Sequence, residues 1–469
     1  MELVFESRSN FSGFSGALQL VQWEPEVHPE PVLLPDTPVD RLNVSAYGSV
    51  IRDGGLLRMW YQATPEGWDF NHDVLWVACA ESHDGCHWQK RKLGIVDHPS
   101  GDNHLCDLGL HSPSVFIDPG SAPDERYRAI GCGRPGPGSR GHRYGYYSAV
   151  SADGLRWRFP DREPQWEGGD VITSVYHPGR GGAVIALKRQ FWINRLMRRC
   201  VHVAEYRDGV YGEHHGALYP DEYDDLAAMQ RGSISGDYYG MAMMPAGNGT
   251  VGFLWNFRHR YPYSEGILLG NHGSCDVTLV YQEKPGGKWL HLPGRPDFIS
   301  HRQLDWTGCG WIHTASAPVE VGDEHRLYFS GRNYEHGFGR GAEGGRFREW
   351  IRREGRSGIT FARWPKDRLF GFETPRQASF RVEAPVEGAS AVEIHLNYRA
   401  RQGGRVRVGV EGVEGRAVED GCDLAGDAVR ERVVWRSGAV VPIAKGAQSL
   451  HFTIELEMAA VYAYEIVPV

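Results

Sequence analysis

The sequence has no apolar run long enough to span a bilayer, so no membrane partner is expected. It has no basic excess either. The formal net charge is -8 over 469 residues, which argues against a nucleic-acid partner held by a broad cationic surface. Cysteine is sparse and scattered: the eight residues (Cys79, Cys86, Cys106, Cys132, Cys200, Cys275, Cys309, Cys422) form no CxxC pair. That speaks against a zinc ribbon, and several of them sit in strand patterns, where a free thiol acts as a small hydrophobe. Met1-Glu2-Leu3-Val4-Phe5-Glu6 shows no basic region followed by an apolar one, so no secretory leader is read there. A reducing, cytoplasmic setting is the expectation. Helical periodicity is nearly missing; Asp221 to Gln230 is the one stretch that reads as a short helix.

What the chain does contain is glycine (60 residues) and aromatics (12%), the composition of many short strands joined by tight turns. One phrase occurs twice. Ser82-His83-Asp84-Gly85-Cys86-His87-Trp88 returns as Ser151-Ala152-Asp153-Gly154-Leu155-Arg156-Trp157, a shared S-x-D-G-x-x-W. An alternating strand precedes each copy: Val74 to Ala80, then Tyr144 to Val150. Asp-Gly tolerates the positive φ of a hairpin turn, and the Trp can open the next strand and pack beneath the turn. Weaker echoes follow at Tyr206-Arg207-Asp208-Gly209 and between Tyr281 and Trp289. A sheet unit that recurs in this way predicts the blades of a propeller.

Residues 1–40, with prolines at 25, 29, 31, 35 and 38, read as an extended lead-in packed on the body, placed to help seal the last blade. Five blades are then predicted over residues 41–372. Their inner strands begin at Asn43, His111, Asp170, Ser235 and Gly310. Beyond Phe372 the strands become shorter and alternate more strictly. Six or more of them over residues 373–469 predict a β-sandwich. The expected fold class is all-β: a five-bladed β-propeller followed by a C-terminal β-sandwich.

This layout resembles the glycoside hydrolases of the invertase and fructanase type (family 32), whose relatives include the arabinanase and xylosidase group (family 43). The inner-strand stretches, the S-x-D-G-x-x-W hairpins and the tail around Ala384-Pro385-Val386-Glu387-Gly388 carry the likeness. The family's signatures are not present. Arg41-Leu42-Asn43-Val44 stands where N-D-P-N-G would, His111-Ser112-Pro113 where R-D-P would, and the third blade has no E-C-P. The family's nucleophile, stabiliser and acid therefore have no residue-by-residue counterparts. The repeated phrase is also close to the Asp-box of sialidases, which is structural there.

In a propeller the starts of the inner strands share one central funnel. Glycoside hydrolysis needs two carboxyls across it, about 5 Å apart for retention and roughly 6.5–9.5 Å for inversion. The candidate catalytic acids are Asp107, Asp170, Asp237 and Glu335, with Glu265 in a polar-aromatic loop as a further acid. The plainer reading of each is a turn-capping carboxylate. Candidate sugar contacts are His111, His313 and His336, Tyr238 with Tyr239, and Trp255. Trp60, Trp192, Trp306 and Trp311 are further platforms, unless they are core. Arg258 and Arg332, with Arg189, end second strands and suit an oxyanion on an acidic sugar; otherwise they are solvated strand ends. Asp84 and Asp153 are assigned to structure.

The expected activity is thus cleavage of a glycosidic bond in a small glycoside or oligosaccharide. No cofactor and no metal are expected, and a homo-oligomer is compatible with the sequence. The alternative is a carbohydrate-binding propeller without catalysis. A sialidase-like enzyme with an Arg cluster and a Tyr nucleophile would need six blades, and the count is five.

Overall fold

Strands that are neighbours in sequence pair antiparallel, and each set of three or four makes one blade. In the first, Asn43–Asp53, Leu56–Thr64, Trp76–Ser82 and Leu105–Cys106 lie in that order. In the second they are His111–Ile117, Tyr127–Gly133, Gly145–Ser151 and Trp166–Glu167. The third is built on Ile172–His177, Gly182–Ile193 and Leu196–Arg207. The fourth uses Ser235–Ala246, Gly249–His259 and Gly273–Gln282, and the fifth Trp311–Thr314, Glu324–Arg332 and Ser357–Pro365. Blades 4 and 5 touch through one parallel pair, Cys275 with Trp311. The computed structural model describes residues 2–3, 11–66, 76–101, 103–133, 143–193, 196–260, 272–306, 310–337, 344–386 and 388–469.

The blades close into a ring. Val115 N donates to Ser49 Oγ (2.8 Å), and Ser174 N to Ser114 Oγ (2.6 Å). Thr173 Oγ1 donates to the Met241 carbonyl. Met243 N donates to the Ser316 carbonyl, and Ser316 N returns to Gly48 of the first blade, both at 2.9 Å. Between each adjacent pair of blades sits an apolar core. Trp60 and Cys79 meet Val115 and Tyr147; Phe116 and Tyr146 meet Ile172 and Ile185; Val184 and Val201 meet Met241 and Leu254. Trp255 and Phe253 meet Trp311 and Phe329, and Tyr328 and Phe361 meet Val44 and Tyr61. Strands buried on both faces carry continuous apolar runs, such as Met241-Ala242-Met243-Met244 in blade 4.

The lead-in is not structureless. Glu26–Val27 pairs with Ala362 and Arg363, His28 N donates to the Phe361 carbonyl (2.9 Å), and Leu33 bridges Ile359. This segment supplies the outer edge of blade 5. Upstream, Phe11–Gly16 and Gln19–Gln22 pair with the strand Phe370–Pro385.

The repeated phrase differs from the expected hairpin in one respect. Beyond it lies a single bridge, Glu81 with Gln89 and Val150 with Arg158, not a strand. Only the glycines adopt positive φ, +75° at Gly85 and +74° at Gly154. The Asp side chains fold the turn instead. Asp84 Oδ1 accepts from Cys86 N and His87 N, and Asp153 Oδ1 from Leu155 N and Arg156 N, all at 2.8 Å. The Tyr206-Gly209 echo is the true tight hairpin, with Arg207 paired to Val210.

The C-terminal sandwich has fewer and longer strands than expected. Phe370–Pro385, Ala391–Val410 and Ser449–Pro468 pair along their lengths, with register shifts at Thr374/Gln377 and Ala400/Arg405 where bulges bend them. Residues on both sides of the bulges, Phe372 with Phe380 and Tyr398 with Val406, share one core. Trp435 is a buried plug there, not part of a strand. Outside the sheets, Glu222–Met229 is helical as expected, with Asp221 capping it. Gly344–Glu354 is a second helix that the sequence reading had missed.

Candidate functional site

The central group combines side chains of the inner strands with Lys188 and Arg332 of second strands and Arg199 of the third strand of blade 3. Tyr47 rises from a bulge between Ser45 and Ser49. Its ring stacks on His313 (centroids 3.9 Å) and meets His111 edge-on (5.4 Å). His111 Nδ1 lies 2.9 Å from Gln62 Oε1, and its Nε2 lies 2.9 Å from Asp170 Oδ1. The second oxygen of Asp170 takes a hydrogen bond from the Lys188 ammonium. Lys188 Nζ stands 3.8 Å from the centroid of Tyr239, and the Arg199 guanidinium 5.2 Å from the same ring. Arg199 in turn binds Asp237 Oδ2 through its backbone N (2.9 Å) and Nη1 (3.1 Å), and His259 Nε2 is 2.9 Å from that oxygen. The Tyr239 hydroxyl is 3.0 Å from His336 Nε2. His336 packs on Trp311, centroids 4.6 Å apart.

Local backbone features aim these groups. The strand's alternation sends the two adjacent tyrosines to different sides, and Tyr239 sits in a bulge between Tyr238 and Gly240. Ser112, between His111 and Pro113, has φ +48°. That conformation is costly for a non-glycine residue and more so before proline. Gly169 precedes Asp170 at φ +154°, where a Cβ would come 2.8 Å from Cys132 Sγ.

The two inner acids are both held ionised. Burial pushes the Asp170 carboxyl up, but Lys188 and His111 outweigh it and hold the group well below the usual range. Burial also raises Asp237, and His259 and Arg199 bring it far down. They differ in access: the Asp170 side chain is 29% exposed and that of Asp237 is 0% exposed. Asp237 Oδ1 is buried with no hydrogen-bond partner. Burial, then Arg332 and His111, hold His313 neutral well below its ordinary value. Burial, Tyr239 and Asp170 push the Tyr47 hydroxyl up.

The remaining candidates take other places. Glu335 is gripped by Arg260 and lies 3.0 Å from His272 Nε2, its carboxyl brought to about 2 against the opposing effect of burial. Asp107 Oδ1 accepts from Trp157 N (2.7 Å) and so pins the second Asp-Gly turn. Tyr238 is fully buried, with its hydroxyl 2.6 Å from Asp224 Oδ2 beside the helix Glu222–Met229; Tyr239 is the tyrosine that faces the funnel group. Arg258 is buried on Asp276 and Asp297 (3.0 Å) in blade 4. Trp255 is core and donates to Thr314 Oγ1 (3.1 Å). Arg189 bonds the Glu167 carbonyl, and Trp192 is exposed. Glu265 and Cys309 lie outside the described residues.

The structure thus brings together His111, Asp170, His313, His336 and Arg332, with Asp237 behind them. Tyr47, Lys188 and Arg199 are members that the sequence reading missed. A signal was present in Ile185-Ala186-Leu187-Lys188: a cation that continues an apolar run must find an acid. Among the described residues, no group of three His, Cys, Asp or Glu side chains gathers in a way that could hold a metal ion.

No family model matches the chain. Two uncharacterized proteins from strains of Mycobacterium tuberculosis are each 36% identical to it over 115 residues, 24% of this chain and 33% of theirs. The match spans about a third of the length of these curated relatives. Among solved structures, an exo-inulinase from Aspergillus awamori aligns over 94% of this chain and 99% of its own, at 11% identity and a TM-score of 0.41. A Bombyx mori GH32 β-fructofuranosidase in complex with sucrose aligns over 94% of each chain, at 10% identity and a TM-score of 0.41. A β-1,2-mannobiose phosphorylase from Listeria innocua aligns over 74% of this chain and 96% of its own, at 10% identity and a TM-score of 0.45.

Proposed function

We propose that the chain is a glycoside hydrolase that takes a small glycoside or oligosaccharide into the propeller funnel, with Asp170 as the carboxylate that meets it. The observation that carries this reading is the state of Asp170. It is the acid of the central group with solvent-accessible surface, and Lys188 and His111 keep it ionised beside two tyrosine rings. An ionised, oriented carboxylate suits a nucleophile or a base. Aromatic faces flanked by hydroxyl, imidazole and guanidinium donors suit a sugar ring.

Asp237 then acts as a positioning residue, holding Arg199 against Tyr239. The proton for the leaving oxygen comes from the Tyr239 hydroxyl and His336 imidazole pair, since both inner carboxyls are held unprotonated. That same ionisation favours a second reading, a carbohydrate-binding propeller without turnover, because no inner carboxyl is raised to serve as an acid.

A screen of aryl glycosides and oligosaccharides against wild type, Asp170→Asn and Asp237→Asn tests the proposal. Wild type should turn over at least one substrate, and Asp170→Asn should abolish that turnover while remaining folded. Full turnover by Asp170→Asn removes the assignment. Binding without turnover by wild type selects the second reading.

A further inference from the structure

The cations of the central group are not alike. Lys188 and Arg199 are each bonded to a carboxylate. Arg332, at the end of the second strand of blade 5 and paired across from Trp311, makes no ion pair among the described residues. Its guanidinium lies between two aromatic faces, 5.3 Å from the centroid of Trp311 and 4.7 Å from that of Tyr334. Its Nε is buried with no hydrogen-bond partner, while the residue as a whole is half-buried. The charge of Arg332 acts on both Tyr47 and His313, so it stands beside the rings that line the funnel. A guanidinium fixed between rings, partly stripped of water and lacking an acid, is pre-organised for a planar or tetrahedral oxyanion.

We propose that the sugar handled in this funnel carries an oxyanion, a carboxylate, sulfate ester or phosphate, and that Arg332 grips it. The inference rests on the sugar-handling reading above and adds the substrate class. It also sets an orientation. Asp170, ionised on the blade 3 side, repels the anionic group, while Arg332 on the blade 5 side attracts it. Tyr47 feels both charges.

The test is titration calorimetry at low and high NaCl. The probes are D-glucuronate, D-galacturonate, glucose 6-sulfate and glucose 6-phosphate, each beside its neutral sugar. At least one anionic sugar should bind about ten-fold or more tighter than its neutral counterpart, and salt should weaken that binding. Arg332→Gln should erase the preference, weakening the anionic sugar by about ten-fold or more beyond any change in its neutral counterpart, and Arg332→Lys should retain part of it. Which probe wins identifies the oxyanion. If Arg332→Gln does not fold, Arg332→Lys and the salt dependence of wild type decide. Equal binding of charged and neutral sugars, or an equal loss of both in Arg332→Gln, overturns the inference and leaves the sugar reading standing. Failure of every sugar to bind overturns both.

Discussion

The indole N–H of Trp60 in blade 1 donates to the carbonyl of Gly154 in blade 2 at 2.7 Å. The same contact recurs one blade earlier in the ring, where the Tyr328 hydroxyl donates to the Gly85 carbonyl, also at 2.7 Å. Two residues before each aromatic is an arginine, Arg58 or Arg326, which donates to the carbonyl of Asp153 or Asp84. The repeated phrase is thus a clasp: each Asp-Gly turn is held by the second strand of the neighbouring blade.

This clasp predicts that its glycines matter beyond their φ angles. A Cβ at Gly154 would meet the Trp60 ring at 2.8 Å, and one at Gly85 would meet the Tyr328 hydroxyl at 2.4 Å. Gly209 has a similar φ of +84° but nothing within 4 Å. Gly209→Ala should cost about 1–2 kcal/mol of left-handed strain. Gly154→Ala and Gly85→Ala should cost at least about 1 kcal/mol more, from overpacking. Urea-unfolding midpoints measure the difference, and equal costs at all three sites would show that the clasp is loose.

The blades were legible because their signals are local. Asp-Gly turns, alternating strands and apolar runs placed the inner strands within a few residues, as with His111–Ile117. The sandwich was less so. Bulges at Ala400/Arg405 and Thr374/Gln377 read in sequence as strand breaks, because glycines and charges interrupt the alternation while pairing continues through them. The site was legible in Asp170, Asp237, its histidines and Arg332, and not in Lys188 and Arg199. Lys188 meets Asp170 across the first hairpin of blade 3, through a register that turn signals alone do not fix, and Arg199 meets Asp237 only where blade 3 packs on blade 4. Tyr238 and Tyr239 point to opposite faces of one strand, and the sequence does not say which face is the inner one.

Asp170 and Asp237 should separate fold from function. Asp237 and Arg199 are both buried, with side chains 0% and 3% exposed. Asp237→Asn leaves a buried guanidinium without its counter-charge and should destabilise by about 3–5 kcal/mol. Adding Arg199→Met should recover part of that loss. Asp170→Asn, at a partly solvated site, should cost about 1–3 kcal/mol and lose sugar turnover. Chemical unfolding alongside activity reads both effects. A wild-type unfolding midpoint for Asp237→Asn would refute the buried pair.

Stability should fall in two stages as pH drops. Burial and the Arg295 charge lower His291 from 6.5 to about 4, and burial and His214 lower His202 from 6.5 to about 4. The unfolded chain then binds protons that the native state refuses, so stability is lost from about pH 6.5 down to about 4. The depressed carboxylates act later. Glu335 is at about 2 in the fold against an ordinary 4.5, so its contribution is present above 4.5 and is lost as pH falls toward 2. Thermal midpoints across pH should therefore decline from below neutrality. Replacing His291 with Gln should flatten the upper stage only, and Glu335→Gln the lower stage only. A midpoint flat from pH 7 to 5 would contradict the buried neutral histidines.

The strained backbone at Ser112 gives the last prediction. Its φ of +48° stands before Pro113, a position that steric contact with the proline ring confines to extended conformations. Holding a non-glycine residue there costs on the order of 1–3 kcal/mol, and the ring of blades sustains it through neighbouring bonds such as Ser114 Oγ to Ser174 Oγ at 2.7 Å. The result is that His111 leaves the strand register at the Cys132 pair and reaches Asp170. Glycine tolerates this φ without strain but loosens the unfolded chain, so Ser112→Gly should change stability by no more than about 1 kcal/mol in either direction. Ser112→Val, branched at Cβ, should destabilise by about 2 kcal/mol or more. If the strain serves to aim His111, the glycine variant should keep its fold and lose turnover, because the imidazole is then free to leave the Asp170 carboxylate. Turnover unchanged in Ser112→Gly would mean that packing alone fixes His111, and that the strained residue is incidental to the funnel.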